Sequence, residues 1–111
     1  MNVLTMAKNF QIALCTAPDL EVAQHLASLM VERKLAACVN LLPNIISVYQ
    51  WQGEIEQEAE ILMLIKTEEK LIHKLDGLLE QEHPYEVPEL ISCNIEQASG
   101  SYLQWLADSL K

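Results

Sequence analysis

A chain of 111 residues without a linker-like stretch fits one folded domain, and its 50% apolar, 21% charged composition excludes an intrinsically disordered chain. Sixteen acidic against seven basic side chains leave a net charge of −9, which repels phosphate backbones and anionic lipid and attracts cations. Nucleic acid and membrane surfaces are therefore not expected partners. The longest unbroken apolar run, Ile61 to Ile65, falls far short of the roughly 20 residues that cross a bilayer.

Met1 to Lys8 is too short for the three regions of a signal peptide and is expected to fray, so residues 1–9 read as a flexible start to a domain over 10–111. Cys15, Cys38 and Cys93 cannot all pair, form no CxxC and lie in strand-like segments. Reduced thiols and a cytoplasmic location follow as expectations.

Phe10 to Ala17 is apolar on both faces and reads as a central strand. Asp19 is placed to cap a helix carrying Val22, Ala23, Leu26 and Met30 on one side. Ala36 to Trp51 returns to strand preference, with Pro43 and Asn44 demanding a bulge or bend. A turn at Gln52 to Glu54 leads into a third strand, Ile55 to Thr67. Its even face changes from Glu56, Glu58 and Glu60 to Leu62 and Leu64, so the first half is expected wet or paired with cations and the second buried.

Thr67 is expected to cap a second helix with the stripe Leu71, Ile72, Leu75, Leu78 and Leu79, which Pro84 ends. Pro88 opens a last strand over Glu89 to Ile95, and Ser99 or Ser101 starts a closing helix with Tyr102, Leu103, Leu106 and Leu110.

The order βαββαβα with right-handed crossovers predicts an α+β ferredoxin-like sandwich with strands ordered 4-1-3-2, both main helices on one face and an extra C-terminal helix. The hairpin of the second and third strands is the anomaly. Ile55 to Thr67 would extend about 40 Å at ~3.3 Å per residue, against a radius of gyration of roughly 13 Å for a domain of this size. Strands apolar on both faces also need a second cover, so the hairpin is expected to project onto another subunit.

In this topology one rim gathers Cys15, Tyr49, Trp51, Glu56 to Glu60, His83 and the segment Tyr85 to Glu89. Thiolate and imidazole suit copper or zinc, carboxylates can add ligands, and the negative field concentrates cations. Each residue also has a plainer reading. Cys15 can be a small buried hydrophobe, His83 can complement a helix C-terminus, and the glutamates can be a solvated strand face. Tyr49, Trp51 and Tyr85 can be interface aromatics, while His25 and His73 read as surface residues. A Cys15–His83 nucleophile lacks an orienting Asn or Asp and a glycine-built oxyanion loop, so no enzymatic activity is expected.

Several strings are shared with one family. Leu14-Cys15-Thr16-Ala17-Pro18, Lys34-Leu35-Ala36-Ala37-Cys38-Val39-Asn40, Tyr49-Gln50-Trp51-Gln52-Gly53-Glu54-Ile55 and His83-Pro84-Tyr85-Glu86-Val87-Pro88-Glu89 resemble the CutA family of divalent-cation tolerance proteins. Ile65-Lys66-Thr67 and Tyr102-Leu103-Gln104-Trp105-Leu106 extend the resemblance over nearly the whole chain from Phe10. It implies a ferredoxin-like subunit, a cytoplasmic homotrimer with sheets packed inward, and binding of copper or another divalent cation. By that resemblance Cys15 and His83 are metal ligands, with Glu82 standing where the family's first histidine would be. A carboxylate is a harder ligand than imidazole, which lowers the expected affinity for copper and shifts selectivity toward zinc or other divalent ions. The alternative is a trimeric sensor, shaped like the PII signalling proteins, whose clefts lined by Tyr85, Glu60, Glu89 and Trp51 hold a small molecule, or a signalling scaffold with no physiological metal.

Overall fold

The computed structural model describes residues 3–111. Its elements in chain order are β1 (Leu4–Met6), β2 (Phe10–Ala17), α1 (Leu20–Glu32), β3 (Cys38–Trp51), β4 (Glu54–Glu68), α2 (Ile72–Glu82), β5 (Ile91–Asn94), β6 (Gln97–Ser99) and α3 (Gly100–Ser109). The main sheet has the spatial order β3-β4-β2-β5, antiparallel throughout. This is the ferredoxin-like βαββαβ arrangement expected from the element order, with α3 appended.

Local chemistry explains the main elements. Asp19 accepts a 2.8 Å hydrogen bond from the Val22 amide, satisfying a donor that the first helical turn leaves open. Along β2 the side chains of Ala13, Cys15 and Ala17 are fully buried, alternating with half-buried Ile12, Leu14 and Thr16. These small side chains on the central strand leave room for Leu26 and Met30 of α1 and Leu75 and Leu79 of α2, all nearly or wholly buried. Burying each such large side chain is worth about 1.5–3 kcal/mol, so this interface supplies much of the stability.

Three expectations are corrected. The start of the chain is not free as far as the described residues go: β1 pairs antiparallel with β6, and the Ala7 amide donates to Glu96 O at 3.0 Å. Met1 and Asn2, also assigned to the flexible start, lie outside the described residues. Thr67 caps no helix; it ends inside β4, fully buried, and its hydroxyl donates to Leu35 O at 2.6 Å. The backbone stays extended through Glu68 and then turns through a short 3-10 segment, Glu69–Leu71, into α2. The last main-sheet strand is shorter than expected, Ile91–Asn94, with Gln11 to Leu14 of β2 as its partners; the Ile95 amide adds one further bond to Phe10 O at 3.1 Å.

The long hairpin is present and gives the molecule extents of 50 × 24 × 21 Å and a radius of gyration of 15.0 Å. Gln52 and Gly53, at φ 51° and 84°, form a two-residue turn with both positions left-handed, the geometry whose twist matches the flanking strands. At Pro43 and Asn44 the β3–β4 register slips, with Leu42 opposite Leu62 but Ile45 opposite Glu60. Two residues of β3 there face one of β4, a bulge that Asn44 accommodates at φ 63°.

The bulge reverses which face each later β3 side chain occupies, since strand side chains alternate with period two. Ser47 and Tyr49 thereby stand opposite Glu58 and Glu56. Ile46 and Val48 turn to the other face beside Ala59 and Gln57, where both are more than 60% exposed. On the sheet face away from α1 and α2, α3 supplies a partial cover through buried Leu103 and Leu106, and Lys66 Nζ lies 5.5 Å from the centroid of the Tyr102 ring.

Candidate functional site

The end of β2, the hairpin half of β3 and β4, and the segment after α2 meet at one rim, as the topology predicted. His83 is the pin. It ends α2 with its amide bonded to Leu79 O at 2.9 Å, and its ring, 7% exposed, reaches across to the sheet. Nε2 lies 2.8 Å from Thr16 O, and Nδ1 accepts the Tyr85 amide at 3.1 Å. A carbonyl can only accept, so Nε2 carries the proton and Nδ1 presents its lone pair. The Tyr85 ring packs against the imidazole with centroids 4.7 Å apart.

Beside this pin runs an open groove of about 880 Å³. Five glutamates, Glu56, Glu58, Glu60, Glu86 and Glu89, share its wall with Tyr49, Trp51 and Tyr85, and its lining contains no lysine, arginine or histidine. The Tyr85 hydroxyl donates to Glu60 Oε2 at 2.6 Å, a short charge-assisted bond to a carboxylate that is only 7% exposed. Burial first, then the hydrogen bond and charge of Glu60, hold the Tyr85 phenol well above its ordinary pKa. Tyr49 is raised by desolvation and by the bond and charge of Glu58. The carboxyl of Glu89 is also raised, by burial and then by repulsion from Glu60. Every one of these shifts favours the less negative form, with burial the larger cause and the neighbouring carboxylates adding to it.

Cys15, His83 and Glu82 do not fit a metal as the structure places them. The Cys15 thiol is fully buried on the helix-facing side of β2, in the core rather than on the groove wall, and donates to Thr16 O at 3.6 Å. Burial, with the charges of Glu89 and Glu60 adding to it, pushes the thiol up to about 12, whereas a metal binds the thiolate. The lone pair at His83 Nδ1 is committed to the Tyr85 amide. Glu82 is exposed, with its carboxylate 4.0 Å from His25 Nε2 of α1. Among the described residues no three His, Cys, Asp or Glu side chains are gathered to hold one ion.

Of the other expected site residues, Tyr49, Trp51, Glu58, Glu60, Tyr85 and Glu89 all line the groove. Sequence reasoning missed Thr16 and Ser47. Thr16 acts through its backbone carbonyl, which residue type does not reveal, and Ser47 reaches the glutamate face only through the one-residue bulge. Pro43-Asn44 was the available signal for that reversal.

The sheet, its two covering helices and the rim define a ferredoxin-like α+β protein with an acid-lined groove. The chain belongs to the CutA1 divalent ion tolerance protein family, whose model matches residues 11–109. It is 40% identical over 99 residues to the divalent-cation tolerance protein CutA of Thermus thermophilus, covering 89% of this chain and 96% of that one. It is 47% identical over 94 residues to human protein CutA, covering 85% of this chain and 52% of the relative. The chain thus spans about half the length of that human relative. The solved structure of CutA from Synechococcus elongatus superposes with a TM-score of 0.94 at 37% identity, covering 98% of this chain and 96% of that one. CutA from Xylella fastidiosa gives 0.90 at 35% identity, over 94% and 100% of the two chains. Membership of a divalent-cation tolerance family agrees with the charge of the rim. Among the described residues no helix is long and apolar enough to cross a membrane.

Proposed function

We propose that this protein serves divalent-cation tolerance as a non-catalytic, cytoplasmic homotrimer that takes up divalent cations, copper foremost, at its acidic rim. The observation carrying the cation reading is Glu60: a carboxylate 7% exposed, in no ion pair among the described residues, on the wall of a groove with five glutamates and no basic side chain. The Tyr85 hydroxyl that bonds this carboxylate is neutral, so an arriving cation adds charge compensation that the hydrogen bond does not supply. Because carboxylates are hard ligands, zinc and other divalent ions compete with copper at this rim. A buried, protonated Cys15 supports neither a thiolate nucleophile nor thiolate capture of copper at first contact.

The trimer is supported by the hairpin. Ile46, Val48 and Ile55 are each more than 60% exposed on one face of a two-stranded arm that a single chain leaves uncovered. Deleting Gln50 to Glu56 is expected to yield a monomer or an aggregate by light scattering, and a persisting trimer would refute the bracing role. For the metal, anaerobic copper and zinc titrations of wild type, Cys15→Ser, His83→Ala and Glu60→Gln are decisive. Rim capture predicts that Glu60→Gln weakens binding most; equal affinity and stoichiometry in all four would reject it.

A second reading, a trimeric sensor that holds a small molecule in the groove, is favoured by its dimensions and aromatic walls. At about 880 Å³ it falls in the range of small-molecule sites, roughly 300–1,000 Å³. A metabolite panel that leaves the melting temperature unmoved would argue against it.

A further inference from the structure

The groove's wall narrows the chemistry of a molecule that would fill it. Its five glutamates are spread along the groove, and no three metal-ligating side chains among the described residues converge on one point. A bare ion would meet one or two carboxylates at a time. A longer molecule spans several.

Aromatic groups accompany the acids. Tyr49 stands directly opposite Glu56 across the hairpin and Trp51 opposite Glu54, while Tyr85 is bonded to Glu60 from the far wall. Ring faces attract ammonium and guanidinium groups, and they also accept the apolar frame that carries such groups. Trp51 is 47% and Tyr49 38% exposed, so both present surface to an incoming molecule. Glu60, nine-tenths buried, accepts a hydrogen bond from the neutral Tyr85 hydroxyl and has no cationic partner among the described residues, so a positive charge placed beside it is favoured. Glu89, half-buried beside it, adds a second.

We propose that the groove binds a small organic cation, an amine or guanidine whose charged nitrogen lies against Glu60 and Glu89 and whose frame lies along Tyr49 and Trp51. This rests on the small-molecule reading above and specifies its ligand class. Inorganic divalent ions compete for the same carboxylates but gain nothing from the rings. An anionic metabolite is repelled by the lining charge.

The test is titration calorimetry of the full chain at near-physiological ionic strength with spermidine, agmatine and choline as probes, and with glutamate and magnesium chloride as controls. Saturable binding of at least one amine is expected, weakened by about tenfold or more in Glu60→Gln and several-fold in Trp51→Ala. Glu80→Gln, an exposed position of α2 outside the groove, should leave it unchanged. Circular dichroism establishes that each variant is folded. No saturable heat from any amine, or equal losses in Glu60→Gln and Glu80→Gln, overturns the proposal, the latter because it marks diffuse attraction to an acidic protein. If a neutral or anionic metabolite raises the melting temperature and Trp51→Ala abolishes that shift while amines do nothing, the organic-cation inference fails and the small-molecule groove stands. If neither metabolites nor amines have any effect, both fail.

Discussion

The two halves of β4 are one continuous strand in two different environments. From Ile61 to Thr67 its odd side chains are at most 7% exposed and pack under α1 and α2. From Glu54 to Ala59 none is buried, and the strand's apolar members there, such as Ile55 at 67% exposure, meet no core. The backbone pairing is unbroken in both halves apart from the bulge, so hydrogen bonding to β3 does not distinguish them. What differs is the second neighbour in the sheet, since only Ile61 to Glu68 also pairs with β2, and the layer above the sheet. The buried half is held by β2 and the covering helices, and the projecting half by its partner strand alone, which leaves its side chains to line the groove on one face and stand exposed on the other, the face proposed above as an interface.

Substitutions in the two halves should therefore report on different properties. The largest effect is expected for Met63→Ala in the buried half, where lost contacts and a cavity cost about 2–5 kcal/mol, read from the urea midpoint. A loss below 1 kcal/mol would mean that the helices do not close on this strand as described. Next is Thr67→Val, which keeps the shape but leaves Leu35 O without its 2.6 Å donor, for a cost of about 1–3 kcal/mol. In the projecting half, Gly53→Ala meets no neighbouring atom, so its whole cost is the left-handed backbone at φ 84°, about 1–2 kcal/mol.

A smaller, pH-dependent effect is expected at the rim. Glu89 has a folded-state pKa above its ordinary value of 4.5, so the native state binds the proton more tightly than the unfolded chain. Its charged form therefore lowers stability above the folded pKa, and the penalty disappears as pH falls below about 4.5. Glu89→Gln should raise the melting temperature at neutral pH and leave it unchanged in acid; a gain that persists unaltered in acid would assign the effect to packing. The smallest effect on the fold of the single chain is expected for Ile46→Ser, within about 0.5 kcal/mol because the side chain is 64% exposed. Its consequence should appear instead in the sedimentation profile, and an unchanged assembly would remove that face from the proposed interface.

Much of this contrast was legible in the residues. The change from glutamate to leucine along the even face of β4 marked the boundary, and Pro43-Asn44 marked the irregular point of β3 opposite it. The gathering of the rim also followed from topology, because strand order and helix direction bring the end of β2, the hairpin and the end of α2 together. The detailed chemistry of Cys15 and His83 did not follow. Their residue types suit a metal, but the carbonyl of Thr16 takes a hydrogen bond from both, and the Tyr85 amide occupies the remaining nitrogen of His83.

The sequence by itself determined the α+β class, the positions of the principal strands and helices, and the acidity of the rim, because periodicity, caps and charge act over a few residues. Only the tertiary structure decided that Cys15 faces the core and that a one-residue bulge turns Tyr49 toward the glutamates. Nor did the local pattern reveal that β1 is tied down by β6. Each of these depends on which distant backbone groups pair and which side chains are taken out of water together, and neither is encoded within a local window of residues.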